Sequence, residues 1–172
     1  MGINLKNKFV DEFDFFEKTN WKYKKFKLIE NGVFVEQDKY FNYGIEDKNG
    51  FRGISDKTGN ILIQVEYEVV NLLYNGNYRV RDKNHFYGIY NKEGNIIIPV
   101  KYRNINILVS NGNYFVENEK YFWGVLDKNG KVLISCKYED ITFLKNGNYE
   151  VEDKNKNILY FDKEGNKIEN SM

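Results

Sequence analysis

Trp123-Gly124-Val125-Leu126-Asp127-Lys128-Asn129-Gly130-Lys131-Val132-Leu133-Ile134-Ser135-Cys136-Lys137-Tyr138 is the stretch whose reading decides the fold of this chain. Two runs rich in β-branched, aliphatic and aromatic residues flank an Asp-Lys-Asn-Gly step, which reads as strand, turn, strand. The Asp side chain accepts from nearby backbone amides and the Gly takes a left-handed exit, the chemistry of a type I turn. Ile141-Thr142-Phe143-Leu144 follows, then Asn146-Gly147, and then Tyr149-Glu150-Val151-Glu152 before Asp153-Lys154-Asn155. Asn-Gly between such runs predicts a tight hairpin with positive φ at both residues.

The same grammar recurs along the chain. Gly59, Gly94, Gly130 and Gly165 close the Asp/Asn-Lys-Xaa-Gly turns and stand 35, 36 and 35 residues apart. Asn-Gly-Asn-Tyr at 75–78, 111–114 and 146–149 keeps that period, as do Tyr67, Tyr102 and Tyr138. Self-similarity of this kind marks units that cannot bury an apolar face alone and complete one another by stacking. Tyr78, Tyr114 and Tyr149 share one slot, with Phe34 as the early copy; Val80, Val116 and Val151 share the slot two residues on. Toward the N-terminus the ruler puts Gly44 in the place of Gly88 and Gly124, leaving Asp47-Lys48-Asn49-Gly50 as an extra turn.

The fold class expected is all-β: tandem antiparallel hairpin repeats of about 35 residues stacked as an open twisted array. The alternative is a small four-bladed propeller, closed by pairing Leu159–Ile168 with Trp21–Asp38. Residues 1–172 form a single repeat domain on this reading. It comprises an N-terminal cap over 1–20, with a short helix as one form, and a divergent first repeat over 21–51. Repeats over 52–86, 87–122 and 123–158 and a partial terminal one over 159–172 complete it.

Phe122–Ile134 and Tyr87-Gly88-Ile89-Tyr90-Asn91-Lys92-Glu93-Gly94-Asn95-Ile96-Ile97-Ile98-Pro99-Val100-Lys101-Tyr102 resemble the bacterial WG-repeat (KWG) family. Its tandem units carry a Trp-Gly strand, an Asp-Lys-Xaa-Gly turn and an Ile-Pro-Xaa-Lys-Tyr stretch. The likeness covers roughly residues 21–168, although Trp-Gly is literal only at 123–124. Tyr43-Gly44 and Tyr87-Gly88 are aromatic stand-ins, and Arg52-Gly53 and Leu159-Tyr160 depart further. The resemblance implies a non-enzymatic interaction module and brings no catalytic residue with it.

Composition narrows the chemistry. Lys+Arg is 26 against Asp+Glu 25, a net charge of +1, which argues against a polybasic nucleic-acid binder. One Cys and one His leave no material for a zinc cage or a disulfide framework, so no metal and no cofactor is expected. No apolar run is long enough for a signal peptide or a membrane span, and a cytoplasmic protein is the expectation. Oligomeric state has no signature in the sequence.

Individual candidates weigh toward structure. Cys136 aligns with Val65 and Val100, the position of a small buried hydrophobe. His85 aligns with Phe41 and Tyr121, and no partner for a general base accompanies it. Glu150 and Glu152 lie on one face of a strand but read as part of a solvated ladder with Arg81 and Glu117, in which opposite charges pair across strands. No constellation passes the test for an enzyme. The alternate positions Arg79, Arg81, Phe115, Glu117, Glu150 and Glu152 differ between copies beside constant apolar slots, which predicts a wet, variable binding face. Lys22, Lys24, Lys25 and Lys27, interleaved with Trp21, Tyr23 and Phe26, read as a basic sheet edge; nucleic-acid tracking is the lesser reading. The function expected is therefore non-catalytic protein binding. Its sharpest form is a stand-alone inhibitor or immunity protein that blocks a nuclease or toxin by occupying its surface. The alternative is a carbohydrate or other ligand binder that uses exposed aromatics.

Overall fold

The computed structural model describes residues 9–13, 26–29, 33–37 and 42–169. All regular structure among them is β-strand, in four antiparallel sheets. The first joins β1 (Phe9–Phe13), β2 (Phe26–Ile29), β3 (Val33–Gln37), β4 (Tyr43–Glu46), β5 (Arg52–Ser55) and β6 (Ile61–Tyr67) in sequence order. The second joins β7 (Val69–Leu72), β8 (Tyr78–Arg81), β9 (Tyr87–Tyr90) and β10 (Ile96–Tyr102). The third is β11 (Asn104–Ile107), β12 (Tyr114–Glu117), β13 (Trp123–Leu126) and β14 (Val132–Tyr138). The fourth is β15 (Asp140–Phe143), β16 (Tyr149–Glu152), β17 (Ile158–Phe161) and β18 (Lys167–Ile168). Each sheet is a linear meander, as the tandem-hairpin reading expects. The chain divides into two compact units, Met1–His85 with Ile89–Ile96, and Phe86–Gly88 with Ile97–Met172.

The long strands β6, β10 and β14 repeat nearly one burial pattern, with Ile63, Ile98 and Ile134 and then Tyr67, Tyr102 and Tyr138 buried. Tyr78, Tyr114 and Tyr149 have no exposed surface, so the three equivalent tyrosines meet one environment. Within the second unit the core shows how neighbours complete each other. Val125 and Ile134 of the third sheet pack with Ile141, Tyr149 and Val151 of the fourth, and Phe115 and Trp123 lie against them. Burying side chains of this size removes about 1.5–3 kcal/mol of exposure cost each, which isolated four-residue strands cannot recover.

Glycine makes two close approaches possible. From Trp123 to Val125 is two steps on β13, while their partners Tyr138 and Ile134 are four apart on β14, so β14 bulges across Gly124. A Cβ on Gly124 would sit 2.6 Å from the Ile134 carbonyl oxygen and 2.8 Å from Cys136 Sγ. Gly130, at φ +84°, lets its turn lie on the Ile97 carbonyl of the preceding long strand. Leu159 stands in the slot of Gly124, since it pairs with Val151 as Gly124 pairs with Val116. The fourth strand there, β18, is two residues long where its counterparts have seven.

Register also corrects part of the sequence alignment. Tyr43 pairs with Ser55 and Ile45 with Gly53, matching Tyr114 with Leu126 and Val116 with Gly124. Gly53 therefore holds the slot of Gly124, and Gly44 that of Phe115. Tyr43 replaces Phe34 as the early tyrosine, and Asp47–Gly50 is the ordinary turn between the second and third strands. Arg52 fills the Trp123 slot and donates from Nε to Glu46 Oε2 at 2.8 Å. The cap region contains strand β1, not a helix, where it is described. The Asn-Gly turns are not two-residue hairpins. Leu73 N donates to Asn77 O and Gly76 N to Leu73 O, and only the glycine has positive φ, as in a type I turn with a bulge. At Leu108–Asn113 the turn holds one more residue, which accounts for the 36-residue step.

Candidate functional site

The six alternate-strand positions are half-buried, not an open wet face, and most are engaged locally. Arg81 Nη2 donates to Glu68 Oε2 at 3.1 Å. Glu152 accepts from Lys156 Nζ at 2.6 Å, and the same ammonium donates to Glu139 Oε2 at 2.7 Å. Phe115 leans on the core tyrosine Tyr149, with ring centroids 6.2 Å apart. Glu150 bonds the Tyr160 hydroxyl and thereby holds its pKa up. Arg79 alternates with the buried Tyr78 and Val80, and Glu117 pairs in register with Asn104 and Trp123. Of the ladder charges, Arg81 and Glu152 pair within their own repeats, with Glu68 and with Lys156. Lys22, Lys24 and Lys25 lie outside the described residues; Lys27 belongs to β2, which runs between β1 and β3 and so is not a sheet edge.

The variable, exposed positions lie one turn further on. Gly50 has φ +84°, and His85, Tyr121 and Lys156 occupy the same turn slot at +66°, +65° and +65°. The slot is not an aromatic one: Gly50 is the counterpart of His85 and Tyr121, and Phe41 lies outside the described residues. Left-handed backbone costs a non-glycine residue about 1–2 kcal/mol. Each side chain there finds its own partner at the residue following the preceding long strand. His85 Nδ1 is 3.7 Å from Glu68 Oε2, the Arg103 guanidinium lies 4.3 Å from the Tyr121 ring centre, and Lys156 binds Glu139. Tyr121 remains 62% exposed.

A groove of about 750 Å³ opens in the second unit. Phe122, Cys136, Tyr138 and Leu159 provide its apolar surface, and Lys120, Lys137 and Lys154 stand on it with Glu119. Leu159 contributes a side chain where the glycine slot of the other sheets has none. Asn118 Nδ2 ties the turn to the Cys136 carbonyl at 3.1 Å. The Cys136 thiol points at the Val116 carbonyl, 3.7 Å away, and burial pushes its pKa up, the reverse of an activated thiolate.

The repeated carboxylates are spent on their turns. Asp127 Oδ1 accepts from Asn129 N and Lys131 N, each at 2.8 Å, and Asp56, Asp153 and Asp162 do the same. Burial and the bond to Tyr90, at 2.7 Å between hydroxyls, push the Tyr67 phenol far up. Among the described residues no cluster of three His, Cys, Asp or Glu side chains is placed to hold a metal ion, and no helix is long and apolar enough to cross a membrane.

A family model described as "WG containing repeat" matches residues 53–84, 87–122 and 123–156. No curated protein matches the chain in sequence. Among solved structures, the crystal structure of the WD40 beta propeller domain of Doa1 is similar at TM-score 0.36 and 8% identity, over 94% of this chain and 71% of that one. That likeness is too slight to bear on how the array closes.

Proposed function

Since the chain belongs to the family of WG containing repeats, we propose that it is a non-catalytic module that binds another protein, in its sharpest form an inhibitor that occupies the surface of a nuclease or toxin. The observation that carries this reading is the exposed Tyr121 with Arg103 against its ring. A cation–π contact at an exposed site returns about 0.5–1 kcal/mol, less than the left-handed backbone costs. Strain of this kind is held where a side chain does work beyond the fold. Tyr and Arg are also the side chains that dominate protein–protein hot spots.

The repeat scaffold supports the reading in a second way. One backbone slot carries Gly50, His85, Tyr121 and Lys156 in turn, so surface chemistry changes while the frame is kept. The test is affinity capture by the full chain and by Tyr121→Gly, with the recovered partner titrated by calorimetry. A stoichiometric protein whose affinity falls at least tenfold in the variant supports the proposal. Binding only to glycans, or turnover of any substrate, overturns it.

A further inference from the structure

We propose that the groove of the second unit seats an acidic peptide segment of the partner, with one large apolar side chain of that segment against Phe122, Tyr138 and Leu159. This rests on the protein-binding reading and names the surface and the chemistry it selects. The charges on the groove are uneven in availability. Asp153 spends Oδ1 on the backbone of Asn155 and Asn157 and Oδ2 on the Asn157 side chain. Lys120, Lys137 and Lys154 are exposed, and none forms an ion pair among the described residues. With Glu119 and the ionised Asp153 counted, the lining carries three ammonium groups against two carboxylates, so a ligand meets one net positive charge around an apolar floor. Lys156, by contrast, is held between Glu139 and Glu152.

The floor is not a generic feature of the repeat. The slot of Leu159 is glycine in the three other sheets, and only here does it add a hydrocarbon surface to the groove. A volume of about 750 Å³ has room for one large side chain and its neighbours. Acid gives long-range attraction and register, and the apolar anchor supplies the desolvation.

Cys136, the only cysteine in the chain, lines the groove and reports occupancy directly. The probes are short fluorescent peptides of three kinds: acidic with a central leucine, acidic without it, and basic with it. The first should bind the full chain, weaken with salt, and slow alkylation of Cys136 several-fold. The variant Lys120→Glu/Lys137→Glu/Lys154→Glu, exposed at all three positions, should keep its circular dichroism and lose about tenfold or more in affinity. Equal binding of the basic peptide, no binding of the first peptide, or binding without Cys136 protection overturns the assignment. A captured partner that binds the triple variant as well as the parent overturns the groove and leaves the protein-binding reading standing. The absence of any protein partner overturns both.

Discussion

Asn113 Nδ2 donates to the Tyr149 hydroxyl at 2.8 Å, 36 residues further along the chain, and Asn42 Nδ2 reaches the Tyr78 hydroxyl at 3.0 Å over the same separation. In both cases the asparagine before a strand tyrosine satisfies the buried phenol one repeat further on. Asn113 is the second Asn of Asn-Gly-Asn-Tyr at 111–114, which gives that position a physical role there. Removing the Asn113 amide leaves the Tyr149 hydroxyl, which has no exposed surface, with only the longer 3.4 Å bond from Asn111 Nδ2, at a cost of up to about 1–3 kcal/mol. Asn113→Leu should lose that much in urea denaturation. Adding Tyr149→Phe should restore part of the loss, giving a coupled double-mutant cycle. Additive losses would mean that the two side chains do not support each other.

Gly124 and Gly147 separate steric from conformational demand. A Cβ at Gly124 would strike backbone 2.6 Å away, whereas Gly147 has open space and φ +89°. Gly147→Ala should cost only the left-handed penalty of about 1–2 kcal/mol. Gly124→Ala must displace β14 and should cost clearly more, with loss of near-ultraviolet dichroism from Trp123. Equal losses in the two thermal melts would contradict the bulge as the reason for glycine.

The period, the all-β class and the shared tyrosine and valine slots were legible because they rest on burial, which repeats in sequence. The slot of Gly53 was not. Arg52 satisfies it through an ion pair with Glu46 instead of an aromatic ring, and the literal Tyr43-Gly44 imitated the motif in a different strand. The exposed column at His85, Tyr121 and Lys156 was hidden for a related reason. Backbone sign is a property of the turn, and four dissimilar residues leave no trace of it in composition. Its one available signal was Gly50 standing three residues after Asp47, as His85 follows Asp82. Phe115, chosen as exposed by strand alternation, is instead covered by the stacking of the neighbouring repeat onto Tyr149.

Tyr121→Gly tests whether that column serves recognition or folding. Glycine removes the left-handed strain but gives up the Arg103 contact and adds entropy to the unfolded chain. These terms nearly cancel, so stability should change by less than about 1 kcal/mol in either direction. Partner affinity should fall by far more. A melting curve showing marked destabilisation would instead make the side chain a structural one, and Arg103→Ala should then match it.

Acid stability offers a separate check on the turns. Desolvation pulls the Asp56 carboxyl upward, but bonds from Thr58 and Asn60, side chain and backbone, outweigh it and hold the group at about 2 against its usual 3.8. Asp153 and Asp162 are likewise held low, chiefly by the side chain of Asn157 and of Asn166. A carboxyl more acidic in the folded chain stabilises it fully above the unfolded value of 3.8, and that contribution drains away as pH falls toward 2. Asn91 shows that the turn tolerates an amide there, since its Oδ1 accepts from Glu93 N at 3.1 Å and Asn95 N at 2.8 Å. Asp56→Asn should therefore fold and melt less steeply with acidification between pH 4 and pH 2 than the parent. The effect belongs to that window alone, because above it both proteins carry the same proton load at this site. Parallel melting curves across the window would show that the bonds to Asp56 order the turn without storing protonation-linked stability.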